Sequence, residues 1–180
     1  LVLSWRLSTG TGLPTPLGNR TNQEMPVFSG ALPVAIDVQM TGVDAKSDLV
    51  DLCNGIATAC QFGALNFVVG SIGDYEIGDV DILLALHACN TATDDAILRG
   101  IELGAKLIVV APCCHKELRP QFGQPAPFGP VLRHGVMEER MAEWVTDGLR
   151  GLFLEWAGYR TKVMEFVAGE HTPKNLMIAA

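Results

Sequence analysis

The sequence lacks the features that would place the chain in a membrane or along a nucleic-acid backbone. No apolar run approaches the roughly 20 residues that a membrane-spanning helix needs. No basic segment leads into an apolar stretch near the start, so no signal peptide is expected. Positive charge is scarce: 13 Lys and Arg against 20 Asp and Glu give a net charge of −7. A wholly basic nucleic-acid surface is therefore not expected, although a local basic patch is compatible with this balance.

Cysteine occurs at only five positions in the 180 residues. An odd count in a chain of this length, without a secretory signal, predicts reduced thiols in the cytoplasm and no disulfide framework. Apolar residues, in contrast, are abundant. They make up 48% of the sequence, and the mean hydropathy is +0.26. This is enough material for the core of one α/β domain, and it argues against disorder.

Strand and helix patterns alternate from Thr41 onward. The order β-α-β-β-α-β-α-β-β predicts a mostly parallel sheet with helices on its faces. The last two strands, TKVMEFVAG and NLMIAA, predict a C-terminal antiparallel hairpin. The longest helix, over 136–159, carries an apolar stripe that we expect to belong to the core. Its members are Met137, Met141, Trp144, Val145, Leu149, Leu152 and Trp156.

Residues 1–40 differ in composition from the rest of the chain. The segment 8–33 is rich in Gly, Pro, Thr and Asn, and it has no helical periodicity. We therefore predict an irregular N-terminal arm over 1–40 and one α/β domain over 41–180. Two segments near the ends of the arm, LVLSWRL and PVAIDVQM, can each contribute a strand, so the first βα unit is expected to be atypical.

Four segments carry a resemblance to a known family: TGVDAKSDLVDLCN, LLALHACNTATDDAI, VVAPCCHKEL and EHTPKNLMI. They resemble one family of class I S-adenosylmethionine (SAM)-dependent methyltransferases, which includes relatives of tRNA ribose methylases and of the glutathione-transferase-C-terminal-domain-containing protein. The pairing of LHACN with PCCH is the specific part, and the resemblance covers about residues 38–180. It implies a Rossmann-like sheet ordered three, two, a substitute first strand, four, five, with the hairpin strands beyond.

The resemblance also implies where the cofactor SAM is bound. Asp44, at the end of the second strand, is expected to accept hydrogen bonds from the ribose hydroxyls; an acidic cap of the following helix is the alternative. Ser71 and Ile72, after the third strand, are expected to bracket the adenine ring. His87, after the fourth strand, is expected beside the transferred methyl group, at the carboxyl edge of the sheet.

The two strand ends that contain Cys and His are expected to meet at that edge. They bring together the candidate catalytic residues His87, Cys89, Asn90, Cys113, Cys114 and His115. These residues can line the pocket for SAM and substrate, with His87 or His115 as a general base or orienting group. They can instead bind a metal such as zinc, although the spacing matches no standard zinc motif. The third interpretation is that small buried side chains pack at the strand ends. We also expect that Cys113 or Cys114 faces the crevice as an unreactive, mostly protonated thiol.

The glycine-rich loop that follows the first strand in the family is not present in its usual form. Only STGTG, with Gly10 and Gly12, resembles it. No acidic residue precedes these glycines, and the Pro-rich segment after them cannot form the expected helix. Such glycines let the backbone approach the methionine end of SAM, so impaired cofactor binding is expected. A shifted reading frame upstream of about Ile36 is one explanation, which the nucleotide sequence of the gene would test.

The leading functional hypothesis is therefore a SAM-dependent methyltransferase whose acceptor is RNA, a protein or a small molecule. The alternative is a non-enzymatic remnant of the fold that acts as a dimerisation or binding module, because an incomplete first βα unit would expose apolar surface. We expect a homodimer and no membrane partner. His171 and Asn175, in the final hairpin, are expected near the active-site edge or in a tight turn.

Overall fold

The computed structural model describes residues 2–9, 36–76, 78–86, 88, 91–121, 123, 126–169, 171–172 and 174–180, with the backbone alone for 2–9 and 36–37. The strands are β1 (Val2–Thr9), β2 (Ile36–Asp44), β3 (Leu65–Val69), β4 (Ile82–Leu86), β5 (Leu107–Ala111), β6 (Lys162–Glu165) and β7 (Leu176–Ala179). The helices are α1 (Ser47–Ala59), α2 (Thr91–Glu102), α3 (Gly129–Leu132) and α4 (Gly135–Trp156), with a short 3₁₀ turn at Arg119–Gln121. None of the helices in these residues is long and apolar enough to cross a membrane.

The strands form one seven-stranded sheet in the order β3-β2-β1-β4-β5-β7-β6. This confirms the predicted mixed α/β architecture and strand order, in which β1 lies between β2 and β4. The predicted C-terminal hairpin is also present, since β6 and β7 pair antiparallel and β7 pairs antiparallel with β5. The core of the order, 3-2-1-4-5, is that of doubly wound nucleotide-binding folds.

The expectation of a mostly parallel sheet holds only in part. β2 pairs with β3 and β4 pairs with β5 in parallel, but β1 runs antiparallel to both of its neighbours. Val2 lies opposite Val43, and Thr9 lies opposite Ile36. A helical crossover is the usual connection between parallel neighbours, whereas antiparallel neighbours do not require one. The antiparallel direction of β1 is thus consistent with a Pro-rich sequence, poor in helix signals, between β1 and β2.

Both segments that could contribute strands near the ends of the predicted arm belong to the sheet, as β1 and β2. Residues 10–35 lie outside the described residues. The division of the chain into an arm over 1–40 and a domain over 41–180 therefore stays a prediction.

The core lies between α2, β4, β5 and β7. Its buried members include Leu83, Ala85, Ala96, Ile97, Ile108, Val110, Leu154 and Ile178. Gly100 allows α2 to approach β5 closely, since a Cβ atom at this position would lie 2.8 Å from Cδ1 of Ile108. α2 ends at Glu102, and Gly104 follows with φ of 63°, a left-handed conformation that glycine favours after a helix.

The face of α4 that is buried differs from the face that the sequence predicted. The stripe expected in the core is largely exposed: Trp144 retains 71% and Trp156 82% of its accessible surface. The buried residues of α4 are Ala142, Asp147, Arg150, Gly151 and Leu154. The prediction was wrong because the small residues, and not the large apolar ones, allow α4 to pack closely against the rest of the chain.

β3 is an edge strand of the sheet, and a side chain from α1 serves as its outer partner. Asn54 Nδ2 donates a hydrogen bond to the carbonyl of Phe67, and the amide of Phe67 donates to Oδ1 of Asn54, each at 2.8 Å. This pair of bonds satisfies both backbone groups of the central residue of β3. It also fixes α1 against the edge of the sheet.

Candidate functional site

The carboxyl ends of β2 and β3 lie side by side, as expected for parallel neighbours. The amide of Gly70, just after β3, donates a hydrogen bond to the carbonyl of Asp44 at 3.0 Å. The Asp44 carboxylate accepts a hydrogen bond from the amide of Lys46 at 3.0 Å. Partial burial opposes ionisation, but hydrogen bonds to the carboxylate and nearby positive charge, with contributions from the amide and the side chain of Lys46, lower the pKa of Asp44 from its usual value of 3.8. Asp44 therefore presents a half-buried carboxylate at this edge of the sheet.

Ser71 and Ile72 follow β3 and have different environments. Ser71 is exposed, and its carbonyl accepts hydrogen bonds from the amides of Asp74 and Tyr75. Ile72 retains only 6% of its accessible surface and packs in the core. Ser71 can therefore contact a ligand directly, whereas the side chain of Ile72 packs in the core and anchors the turn. The predicted adenine-bracketing role of both residues stays a prediction.

Three of the candidate residues in LHACN, namely His87, Cys89 and Asn90, lie outside the described residues. The described residues on either side of them have defined positions in the fold. β4 ends at Leu86, and the hydroxyl of the buried Thr93 donates a hydrogen bond to the carbonyl of Ala88. This contact holds the start of α2 against the carboxyl end of β4.

Cys113 and Cys114 follow β5 as half-buried cysteines outside any disulfide bond. Their sulfur atoms lie 3.7 Å apart, well beyond the length of a disulfide bond. Both line one cavity of about 190 Å³ together with His115. Among the described residues, no group of three or more His, Cys, Asp or Glu side chains is placed to bind a metal ion.

His115 is held by a carboxylate from α4. Its Nε2 lies 3.0 Å from Oδ1 of Asp147, and the two side chains are 4% and 6% exposed. The Nδ1 atom of His115 is buried and has no hydrogen-bond partner in the described part of the chain. A neutral imidazole that donates its Nε2 hydrogen to Asp147 keeps a lone pair on Nδ1. This is the arrangement of a histidine that can accept a proton from a bound molecule.

Asp147 belongs to a larger, partly buried network that also connects α4 with α2. Arg150 Nη1 donates to Oδ1 of Asp147 at 3.0 Å, and Nε and Nη2 of Arg150 donate to the two oxygens of Asp94 at 2.7 and 3.0 Å. Burial opposes the charge of Arg150, but the two carboxylates raise the pKa of Arg150 above its usual value. The network therefore links the segment after β4 to His115 after β5.

A second cavity, of about 210 Å³, lies beside His115 on the side of α4 and β7. It is lined by Pro112, His115, Arg140, Glu143, Trp144, Asp147, Lys174, Asn175 and Leu176. Asn175, predicted near the active-site edge, is buried here and donates a hydrogen bond from Nδ2 to the carbonyl of Val167 at 2.8 Å. Lys174 forms an ion pair with Glu143. His171 is exposed and does not line this cavity.

Sequence reasoning missed Asp94, Arg140, Asp147 and Arg150. A signal was present, because Asp147 and Arg150 are three residues apart on a predicted helix and therefore share a face. Charged residues on a helix usually lie on its solvent face, and the apolar stripe of the same helix favoured a different face as the buried one. Nothing in the sequence indicated that Asp94, 56 residues away from Arg150, completes the network.

The glycines of STGTG were predicted to approach the cofactor, and Gly10 and Gly12 lie outside the described residues. The residue before them, Thr9, pairs with Ile36 at the amino end of β2, while Asp44 is at the other end of that strand. Eight residues of β1 separate the two edges by roughly 25 Å. The end of β1 thus lies at the edge of the sheet opposite to Asp44.

A family model described as a methyltransferase domain matches residues 30–121, just over half of the chain. The match includes β2, β3, β4 and β5, and therefore Asp44 and the PCCH segment; it does not include β1 or α4. No curated protein matches the sequence.

Proposed function

The chain belongs to this family of methyltransferase domains, and on that premise we propose that it binds SAM at the carboxyl edge of β2–β5 and transfers the methyl group to an acceptor near His115. The single observation that carries the proposal is the half-buried, ionised Asp44 at the end of β2, within the matched region. A carboxylate at this position of a nucleotide-binding sheet suits the two hydroxyls of a ribose.

The residues at this edge fit the nucleoside half of SAM. The Asp44 carboxylate has acceptor capacity beyond its bond to Lys46, because a carboxylate offers about four lone-pair sites. Ser71 is exposed beside it, at the end of the parallel neighbour. Asp44 would therefore hold the ribose, and the Ser71 turn would lie along the adenine.

The described residues offer fewer contacts for the methionine half of SAM than for its nucleoside half. A glycine-rich loop after β1 would have to reach the edge that contains Asp44, whereas Thr9 lies at the opposite edge. We therefore expect that most of the affinity for SAM comes from its nucleoside, and that overall binding is weaker than a complete glycine loop would give.

When bound, SAM supplies an electrophilic methyl group on a sulfonium. The residues of the chain orient the acceptor for in-line attack and can remove its proton. His115, whose Nε2 lies within hydrogen-bond distance of Asp147 and whose Nδ1 has no partner among the described residues, would accept that proton. Asp147 would stabilise the imidazolium that results, and Arg150 keeps Asp147 in place.

Calorimetric titration with S-adenosylhomocysteine and with adenosine tests the proposal. We expect both ligands to bind, with dissociation constants within about tenfold of each other. Asp44→Ala should weaken both by about tenfold or more, since hydrogen bonds to a charged group contribute roughly 1.5–3 kcal/mol each. Asp48→Ala is the matched control, because Asp48 is an exposed carboxylate nearby on α1. If neither S-adenosylhomocysteine nor adenosine bound at millimolar concentration, the proposed SAM site would be contradicted.

A second candidate function, a dimerisation module, is favoured by the exposed apolar face of α4. Leu149, Leu152 and Trp156 are spaced by three and four residues and remain 54%, 62% and 82% exposed, and such patches are often protein interfaces. The expected occupant is a second copy of the chain. Light scattering should then show a dimer that Leu152→Glu disrupts and Leu98→Glu, on exposed α2 surface, does not. A monomer at all concentrations would reject this candidate.

The proposed site of action is the cytoplasm. Four cysteines in the described residues, Cys53, Cys60, Cys113 and Cys114, are not in a disulfide bond, which is consistent with a reducing compartment. Zinc remains a weaker proposal, since two adjacent thiols would need further ligands from residues such as His87 or Cys89.

A further inference from the structure

We propose that the 210 Å³ cavity between the PCCH segment, α4 and the start of β7 binds the methyl acceptor, and that this acceptor is a single planar aromatic ring bearing one anionic group. This inference rests on the proposed methyl transfer for its chemistry but not for its binding test. Nucleotides and aromatic carboxylates share this ligand chemistry, and the experiment below distinguishes between them.

The position of the cavity suits an acceptor. Pro112 and Leu176 in its wall adjoin the end of β5 and the start of β7, at the same edge of the sheet as Asp44. β2 and β5 are three strand spacings apart in the sheet order, which is roughly 14 Å. A nucleoside at Asp44 and an acceptor beside His115 would therefore occupy two ends of one crevice.

The size of the cavity limits the ligand. A volume of about 210 Å³ is below the roughly 300–1,000 Å³ of pockets that enclose drug-sized ligands. One aromatic ring system fits such a space, and a folded peptide or a stretch of polymer does not. The net negative charge of the chain also favours a small ligand, because an extended nucleic acid would require many cationic contacts.

The mouth of the cavity offers one aromatic surface and one cation. Trp144 lines the cavity and keeps 71% of its surface exposed, although large aromatic side chains are usually well buried. Arg140, one turn earlier on α4, is exposed and forms no ion pair with any residue that the structure describes. The other cation in the lining, Lys174, is neutralised by Glu143. The lining thus provides one stacking platform and one cation outside any described ion pair, while its second carboxylate, Asp147, is bonded to His115 and Arg150.

His115, in the lining of the cavity, is the proton acceptor of this proposal. The residue is nine-tenths buried, and its Nδ1 has no partner among the described residues. Nδ1 has almost no accessible surface, so the His115 ring would have to shift for an acceptor N–H or O–H to donate to it. On transfer, the acceptor lone pair forms the new bond to the methyl carbon, the C–S electron pair stays on sulfur, and the acceptor proton passes to Nδ1. Asp147 is a positioning residue in this step, since its Oδ1 lies 3.0 Å from Nε2 of His115 and would hold the ring by accepting an Nε2–H.

Indole N–H signals in a ¹H–¹⁵N spectrum test the proposal without any turnover. The chain has three tryptophans, and Trp144→Phe identifies the signal of interest. The probes are uridine 5′-monophosphate with uridine as its uncharged match, and 4-hydroxybenzoate with phenol as its match. The uridine pair carries a ribose that the cofactor edge could also bind, so only the signal of Trp144, which lines the proposed cavity, is read. We expect at least one anionic probe to shift the Trp144 signal at millimolar concentration, and the uncharged match to bind more weakly.

Three variants define the expected pattern. Trp144→Ala, which lacks the indole signal and is read from backbone amide signals instead, should weaken binding by at least about fivefold from the loss of stacking. Arg140→Gln should bring the anionic probe to the affinity of its uncharged match, a change of up to about fivefold for an exposed ion pair. His115→Gln keeps a donor toward Asp147 but lacks Nδ1, and it should weaken probes that carry an N–H or O–H. Arg133→Gln, exposed before the start of α4, is the matched control.

Each outcome bears on the proposal. Binding of uridine 5′-monophosphate alone assigns the site to nucleotides, and binding of 4-hydroxybenzoate alone assigns it to aromatic carboxylates. No shift of the Trp144 signal with any probe, or shifts that persist undiminished in both Arg140→Gln and His115→Gln, would overturn it. Failure of S-adenosylhomocysteine to bind, with these probes still bound, would reject the proposed function and leave the pocket assigned.

Discussion

Removal of the Asp147 carboxylate should destabilise the fold in graded steps. Asp147 accepts hydrogen bonds from His115 and Arg150, each at 3.0 Å, and its side chain is 6% exposed. Breaking a buried ion pair from one side typically costs about 3–5 kcal/mol. Arg150 keeps its bidentate bond to Asp94, so we expect Asp147→Ala to lie near the lower end, at about 3 kcal/mol. Asp147→Asn keeps the shape and loses the charge, so about 2 kcal/mol is expected.

Asp94 provides the internal comparison. Its carboxylate is 53% exposed, so water already screens its ion pair with Arg150. Asp94→Asn is therefore expected to lower the free energy of unfolding by about 1 kcal/mol. Asp95→Asn, an exposed neighbour on α2, should be within about 0.5 kcal/mol of the original chain. Urea unfolding with linear extrapolation measures all four variants. The reasoning would be refuted if Asp147→Asn had no measurable effect, or if Asp94→Asn were more destabilising than Asp147→Ala.

Three further predictions follow from packing, charge and exposure. Gly100→Ala should lower the free energy of unfolding by about 1–2 kcal/mol, because the cost of overpacking against Ile108 exceeds the gain in helix propensity. Gly148→Ala should raise the free energy of unfolding by about 0.5–1 kcal/mol, because no atom lies within 4 Å of the added Cβ. Urea unfolding compares the two variants. The folded pKa of Asp44 lies below 3.8, so its contribution to stability is complete above the unfolded pKa and is lost as the pH falls through the lower folded pKa. The stability difference between the original chain and Asp44→Asn should thus be constant between pH 5 and 7 and change only below about pH 4, and a change at neutral pH would contradict this assignment. Iodoacetamide should label the exposed Cys60 faster than the half-buried Cys113, as read by peptide mapping; faster labelling of Cys113 would indicate an activated thiol.

The strand order could be predicted because apolar runs and helix patterns alternate along the chain, and the resemblance supplied the order in which such strands assemble. The direction of β1 could not be predicted in the same way. Its alternation of side chains is the same whether the strand is read forward or backward, and only its pairing with Val43 and Ala85 reveals that it is reversed.

The site was predictable at the strand ends and not beyond them. Asp44 and the PCCH segment follow strands, and the carboxyl edge of a sheet is the usual ligand crevice. The residues that α4 contributes to the site depend on which face of that helix is buried, and the pattern of hydrophobic residues predicted the wrong face. Small residues such as Ala142 and Gly151 are buried there, with Asp147 and Arg150 between them, so steric fit and charge pairing decided the orientation of the helix.

The bonds between Asn54 and Phe67 have a consequence for self-association. β3 and β6 are the two outer strands of the sheet, and an open edge can recruit a strand from another molecule and so initiate aggregation. A strand that added to β3 would first have to displace Asn54 from the middle of that edge. β6 has only four residues and carries Lys162 and Glu165 at its ends, and short, charged strands make poor templates. In the part of the chain that the structure describes, both outer strands are therefore poor templates for continuation of the sheet, and the exposed helical faces are the better surfaces for association between copies of the chain.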